Sequence, residues 1–436
     1  MEENLNDTGK EREEEPISPK NAKWPIQVKL VIVILIFIII ALGITILLIS
    51  IKDSDDSDDE DKKDEEDYEE ERLEKGGYIE KWNELYGIIK PNLSYAKNDI
   101  IINSFKKEGD NYNETIEEIN DGKDYPKNDR NYYTLYVPYS SLNNKDKFNG
   151  IILYIHGGAW IGGFKEDIEF LCRRYSKIGY ITASMGYTLL SGEYEQYNIY
   201  RVLDEITAAI ENIKEELGNM GFDTDKLELA IGGISAGAHI ALLYGYSIKK
   251  TPLPVKFLIN IVGPLSLEPE FWYQPAEFNN TLEDLEMDTV EKAIKEGKVM
   301  KIFEDFDFVE MMNGFLGNIY SKEEEKEMIV NNTIDKNNPK YQKLFRRVQN
   351  AFPITFVNSE TLPTLCQYAG NDTLVGVAHY RFLKEDSVKY GNKIDLVYMR
   401  YANHGLISYD TADGIKAMRD IHYQILKYAK MYFNQE

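Results

Sequence analysis

The sequence predicts an α/β fold: a mostly parallel sheet with helices on both faces. Three observations carry this. From about residue 78 onward short apolar runs alternate with helical patterns, as repeated strand–helix–strand units do. The stretch 201–217, RVLDEITAAIENIKEEL, has its apolar residues at helical spacing and so one face to pack on a sheet. At 227–243 an apolar run ends in a glycine-flanked serine that opens a second helical run. A chain of 436 residues with 43% hydrophobic and 28% charged side chains can bury a large core.

Before this domain come three segments of different character. Residues 1–29 form a polar tail in which Lys20, Lys23 and Lys29 follow Pro16 with no acid among them. Residues 30–51 contain LVIVILIFIIIALGITILLIS, an uncharged run of about 20 residues, enough for a helix across a bilayer. No A-x-A-like cleavage site follows it. Residues 52–77 are dominated by Asp and Glu, too polar to fold alone, and read as a disordered, self-repelling stalk. The lysines before the apolar run and the acids after it predict a single-pass anchor. Its N-terminus is cytoplasmic, and the domain at 78–436 lies outside the cell or in a lumen.

Within the domain the expected strands are 132–138, 150–158, 180–187, 227–234, 255–263, 364–370 and 394–401. Residues 265–350 break the rhythm. They are acidic, helix-prone and rich in Met and Phe, and read as a helical cap inserted over the C-terminal edge of the sheet.

The chemistry-bearing residues fall at strand ends. Gly233-Ile-Ser-Ala-Gly237 places Ser235 in a turn too tight for a Cβ on either side, which projects a hydroxyl clear of the backbone. The amide of Ala236 then lies at a helix N-terminus, where negative charge is favoured. His156-Gly-Gly-Ala-Trp160 follows an earlier strand, and its small residues let backbone N–H groups approach a developing oxyanion. Asp372 follows the strand at 364–370 and His404 the strand at 394–401. An imidazole takes and returns the serine proton, and a carboxylate holds its tautomer. His239, inside the elbow helix, reads as structural; His379 and His422 read as surface or capping residues. Asp204 and Glu205 read as serving the start of the helix at 201–217.

From LYVP (135–138), YIHGGAWIGG (154–163), GGISAGAHIALL (232–243), NDTLVG (371–376) and NHG (403–405), the region from about 120 to 436 resembles the α/β-hydrolase fold. It is most similar there to the carboxylesterase and hormone-sensitive-lipase-like group, and within it to HGGxW esterases related to kynurenine formamidase and to bacterial feruloyl or acetyl esterases. The resemblance implies Ser235 as nucleophile, Asp372 as acid and His404 as base, with the amides of Gly158, Ala159 and Ala236 as oxyanion donors. Two departures stand out: Ala159 replaces the third glycine of the lipase motif, and Tyr187-Thr188-Leu189 replaces Tyr-Arg-Leu.

The expected activity is therefore cleavage of short-chain acyl or acetyl esters through an acyl-enzyme. Formamidase or peptidase action on the same residues, or a non-catalytic adhesion module of the same fold, are the alternatives. A net charge of −24 disfavours nucleic-acid partners. No phosphate-binding glycine loop or His/Cys cluster occurs, so no cofactor or metal is expected. Cys172 and Cys366, far apart, read as buried thiols. Asn92, Asn113, Asn279 and Asn331 begin N-glycosylation sequons.

Overall fold

In the strand Ile151–Ile155 all five residues are buried, and successive side chains serve opposite faces of one sheet. Ile151, Leu153 and Ile155 join one hydrophobic cluster, Ile152 and Tyr154 the other. Such a two-sided apolar strand is stable only when both faces are covered, which is the reason helices flank it on each side. The computed structural model describes residues 82–433, except 84, 97–99, 102–124, 146–148, 191–196, 249, 276–298, 377 and 407–410. The tail, the apolar run at 30–51 and the acidic run at 52–77 all lie outside the described residues. Among the described residues no helix is long and apolar enough to cross a membrane.

Eight strands form the main sheet: β1 (Gly87–Ser94), β2 (Tyr132–Pro138), β3 (Ile151–Ile155), β4 (Ile181–Met185), β5 (Leu229–Ile234), β6 (Val255–Ile261), β7 (Thr364–Ala369) and β8 (Ile394–Met399). Their spatial order is β1-β2-β4-β3-β5-β6-β7-β8. β1 pairs antiparallel with β2 and β2 with β4; every other pairing is parallel. Parallel neighbours need crossovers, and helices supply them. α1 (Glu169–Lys177) and α8 (Thr411–Tyr432) cover one face through Leu171, Tyr175, Ile425 and Tyr428. α2 (Ile199–Asn219) and α3 (Ala236–Ser247) cover the other through Ile206, Ile210, Ile240 and Leu243. Asn198 caps α2 by accepting from the Arg201 amide. α7 (Ala378–Tyr390) follows β7.

The expected strands each appear, 132–138 with its expected bounds and the others shortened at one or both ends. β1 was not among them. Lys90, Pro91 and Asn92 interrupt its apolar pattern, and a register shift between Lys90 and Leu93 absorbs them at the sheet edge.

Between β6 and β7 lies the insertion. Its helices are α4 (Asp305–Phe315), α5 (Lys322–Glu327) and α6 (Pro339–Val348), but it is not purely helical. Tyr273–Pro275 pairs with Val299–Lys301, and Ile329–Val330 pairs with Thr333–Ile334. The second hairpin turns on Asn331 and Asn332 at φ 52° and 60°, the left-handed pair that a two-residue hairpin requires and asparagine tolerates. Trp272, Phe308, Met312 and Leu344 of the insertion belong to the same buried cluster as α2 and α3.

Candidate active site

At the end of β5 the backbone of Ser235 adopts φ 54°, ψ −121°, a conformation that costs a non-glycine residue roughly 1–3 kcal/mol. The two flanking glycines permit it. A Cβ on Gly233 would lie 2.4 Å from the carbonyl carbon of Gly237. A Cβ on Gly237 would lie 2.2 Å from the Ile155 carbonyl oxygen. The Ser235 amide donates to the Ile261 carbonyl at 2.8 Å, and its own carbonyl accepts from the His239 amide at 3.0 Å. The turn is thus pinned to β6 behind it and to α3 ahead.

Three strand ends then converge. His404, just past β8, has Nε2 3.0 Å from Ser235 Oγ and Nδ1 2.7 Å from Asp372 Oδ2. Asp372, just past β7, uses its other oxygen, Oδ1, to accept from the amides of Leu374 and Val375, both at 2.8 Å. These bonds leave Oδ2 to the imidazole, so Nδ1–H donates to the carboxylate and Nε2 accepts from the serine hydroxyl. All three side chains are no more than 5% exposed, and each hydrogen bond acts in a dry, low-dielectric setting.

The loop after β3 runs alongside Ser235. A Cβ on Gly157 would sit 3.4 Å from Ser235 Cβ. Gly158, Ala159 and Trp160 follow with φ 115°, 50° and 63°, three consecutive positive values. Ala159 therefore takes the left-handed conformation despite its side chain. Among the described residues no protein group accepts from the amides of Gly158 or Ala159. The amide of Ala236, first in α3, likewise has no intrahelical acceptor. The His156 ring stacks on Tyr187, with centroids 4.3 Å apart, and its Nδ1 lies 2.7 Å from the Gly157 carbonyl. Burial pushes its pKa down to about 3, so this imidazole is neutral and buttresses the loop from behind.

Against the loop after β4 lies a buried ion pair that motif reading did not single out. Arg201 Nε lies 2.8 Å from Glu205 Oε1, both side chains fully buried on α2. Glu205 also accepts from the Thr188 amide at 2.8 Å, from Asn131 Nδ2 at 3.0 Å and from the Thr188 hydroxyl. Where the resembling enzymes carry arginine, this chain has Thr188, and the guanidinium reaches that position from α2. Removing one partner of such a pair costs about 3–5 kcal/mol, because the other is left charged and buried. The signal available in sequence was the four-residue spacing of Arg201 and Glu205 at the start of an amphipathic helix. Glu205 therefore serves the loop after β4, rather than only the start of a helix.

Two histidine assignments change. His379 is fully buried, not a surface residue: its Nδ1 accepts from the Leu265 amide at 3.2 Å, and Phe271 and Trp272 of the insertion cover its ring. Burial, reinforced by the nearby His239, holds its pKa well below the usual histidine value. His422, half-buried on α8, has Nδ1 2.6 Å from the Tyr175 hydroxyl and so joins α8 to α1. His239 is buried inside α3, as expected of a structural residue. Cys172 and Cys366 are free, buried thiols.

This strand order, with a glycine-flanked serine turn after β5 and a carboxylate and an imidazole after β7 and β8, defines an α/β-hydrolase. The family model of BD-FAE matches residues 135–386, more than half of the chain, and the chain belongs to that family. Curated relatives match over shorter stretches. A probable isoprenylcysteine alpha-carbonyl methylesterase of Oryza sativa subsp. japonica is 32% identical over 112 residues, 26% of this chain and 25% of that protein. The isoprenylcysteine alpha-carbonyl methylesterase of Arabidopsis thaliana is 27% identical over 148 residues, 32% of each protein. The chain thus spans about a quarter to a third of the length of these relatives. Among solved structures, a truncated carbohydrate esterase from gut microbiota aligns with a TM-score of 0.48 at 13% identity, covering 79% of this chain and 97% of that one. An esterase of the Planctomycetes species Thermogutta terrifontis aligns with a TM-score of 0.44 at 14% identity, covering 69% and 90%.

Proposed function

We propose that the chain is a serine esterase that cleaves short-chain acyl esters through an acyl-enzyme on Ser235. The observation that carries this reading is the continuous hydrogen-bonded line from Asp372 Oδ2 through His404 to Ser235 Oγ. Membership of the BD-FAE family and likeness to methylesterases agree with it. In this reading His404 Nε2 takes the hydroxyl proton as Oγ bonds to the acyl carbon. The carbonyl oxygen becomes an oxyanion held by the amides of Gly158, Ala159 and Ala236, donors worth about 10²–10³ in rate each. Asp372 stabilises the imidazolium. The tetrahedral species collapses, the C–O bond to the alcohol breaks, and Nε2 returns its proton to the departing alkoxide. Water then repeats the sequence on the acyl-enzyme and releases the acid.

The domain would be held at a membrane by the apolar helix at 30–50. The lysines before that run put the N-terminus in the cytoplasm, and the acidic stalk holds the active site away from an anionic bilayer. Soluble or cell-surface esters, rather than bilayer lipid, are then its substrates.

The test is a panel of p-nitrophenyl esters of increasing acyl length on the full-length chain in mild detergent, alongside labelling by a fluorophosphonate. Cleavage of the short esters and a label on Ser235, both lost in Ser235→Ala, is the expected result. An S235A protein keeping more than about a tenth of wild-type kcat would overturn the assignment of the nucleophile.

A further inference from the structure

The loop that presents Gly158 and Ala159 holds two non-glycine residues, Ala159 and Trp160, at φ 50° and 63°. Each such residue costs of order 1–3 kcal/mol and persists only where its surroundings over-determine it. On the backbone side the Trp160 carbonyl accepts from the Leu190 amide at 2.9 Å. On the side-chain side its indole Nε1–H donates to His239 Nδ1 at 3.2 Å. The two rings meet edge to face at 87°. The second nitrogen of the same imidazole, Nε2, lies 2.9 Å from the carbonyl oxygen of Ala351, in the insertion. Phe315, also from the insertion, packs edge to face on the indole with centroids 4.9 Å apart.

We infer that His239 positions the oxyanion loop by holding the Trp160 indole, and fastens that loop to the insertion. The inference rests on the esterase reading above. His239 is one turn beyond the nucleophile, to which its amide is bonded, so a single residue joins nucleophile, oxyanion loop and insertion. Both ring nitrogens have partners. An acceptor at Nδ1 and a donor at Nε2 fix one neutral tautomer, and neither nitrogen is free to exchange a proton with a substrate. Its effect on the reaction therefore passes through geometry. The amides it helps to aim act on charge that exists only in the transition state, so their displacement lowers kcat and leaves KM nearly unchanged.

Four full-length variants in mild detergent test this: His239→Gln, His239→Asn, Trp160→Phe and the double variant H239Q/W160F. The asparagine amide oxygen falls near the place of Nδ1 and still accepts from the indole. The glutamine amide falls near the place of Nε2 and does not. H239Q and W160F should each lower kcat for p-nitrophenyl acetate by about 10- to 100-fold, with KM within about two-fold. The double variant should be no worse than either single one, since both remove the same bond. H239N should recover most of the loss. Urea midpoints separate these effects from misfolding, and W160F carries the test if H239Q does not fold. Wild-type kcat in both H239Q and W160F, equal losses in H239N and H239Q, or losses that multiply in the double variant each overturn the inference alone. A wild-type chain that takes no fluorophosphonate at Ser235 overturns the esterase reading and this inference with it.

Discussion

Replacing Gly237 by alanine should part Ser235 from the loop at Gly157–Ala159 without altering a residue of either. The added Cβ would lie 2.2 Å from the Ile155 carbonyl oxygen and 2.3 Å from that of His156. Both are backbone atoms at the end of β3, and no side-chain rotation relieves the clash. To reach the 3.0 Å that such contacts essentially never undercut, the start of α3 must retreat from β3 by about 0.8 Å. Ser235 and the Ala236 amide travel with α3, whereas Gly157 to Ala159 stay with β3. A displacement of this size at reacting groups costs on the order of 10²-fold in rate. The strain should lower stability by about 1–3 kcal/mol. By helix propensity alone, glycine to alanine would instead raise it by up to about 1 kcal/mol. The sign of the stability change thus separates the two accounts. Gly314, on α4, is the control: a Cβ added there would meet no atom within 4 Å, and Gly314→Ala should gain a few tenths to about 1 kcal/mol. Urea unfolding and p-nitrophenyl acetate turnover on both variants give the measurement. A Gly237→Ala protein as stable and as active as wild type would refute the close apposition of α3 and β3.

Three further outcomes follow from the same geometry. In Asp372→Asn, the amides of Leu374 and Val375 keep the side-chain oxygen at the Oδ1 position and turn the NH2 toward His404. The imidazole then needs its proton on Nε2, where it no longer accepts from Ser235. kcat should fall by roughly 10³–10⁴-fold with the urea midpoint little changed, and a loss below ten-fold would contradict this tautomer argument. His239 is held neutral by burial with a pKa of about 4, below the ordinary 6.5. Between those values the unfolded chain takes up a proton that the folded chain refuses, so this contribution is complete above pH 6.5 and drains away as pH falls. At pH 5 it amounts to about 2 kcal/mol. The stability lost by wild type between pH 7 and pH 5 should exceed that lost by His239→Asn by this amount, and equal losses in urea titrations would remove the assignment. If the anchor is oriented as proposed, protease added to intact cells should cut near residues 53–75 and release esterase activity. Release only after the cells are broken would reverse the orientation.

The centre of the sheet was legible because strands such as Ile151–Ile155 and Leu229–Ile234 are apolar runs with glycine at or beside an end, and buried on both faces a parallel strand has no other pattern to show. β1 was not, since Lys90, Pro91 and Asn92 are tolerated there only by an edge position with a register shift. Ser235, Asp372 and His404 could be placed because each directly follows a strand, where this class of sheet gathers its loops. His379 could not. A histidine opening an amphipathic helix looks exposed until Phe271 and Trp272, more than a hundred residues earlier, are folded over it. The same holds for the bond between Trp160 and His239, whose two residues lie 79 apart and whose other partner, Ala351, comes from an insertion with no readable motif.

The separation of the reacting groups along the chain also sets an order in time. Ser235 and His404 are 169 residues apart, and Asp372 precedes His404 by 32. During synthesis the elbow and the oxyanion loop leave the ribosome well before β7 and β8 exist. Until those last two strands dock, the hydroxyl has neither the His404 imidazole nor the Asp372 carboxylate behind it and is an ordinary alcohol. If Ser235 acts as proposed, the nascent chain is inert, and the appearance of turnover reports the docking of its last sixth, from Thr364 onward, rather than of any earlier part.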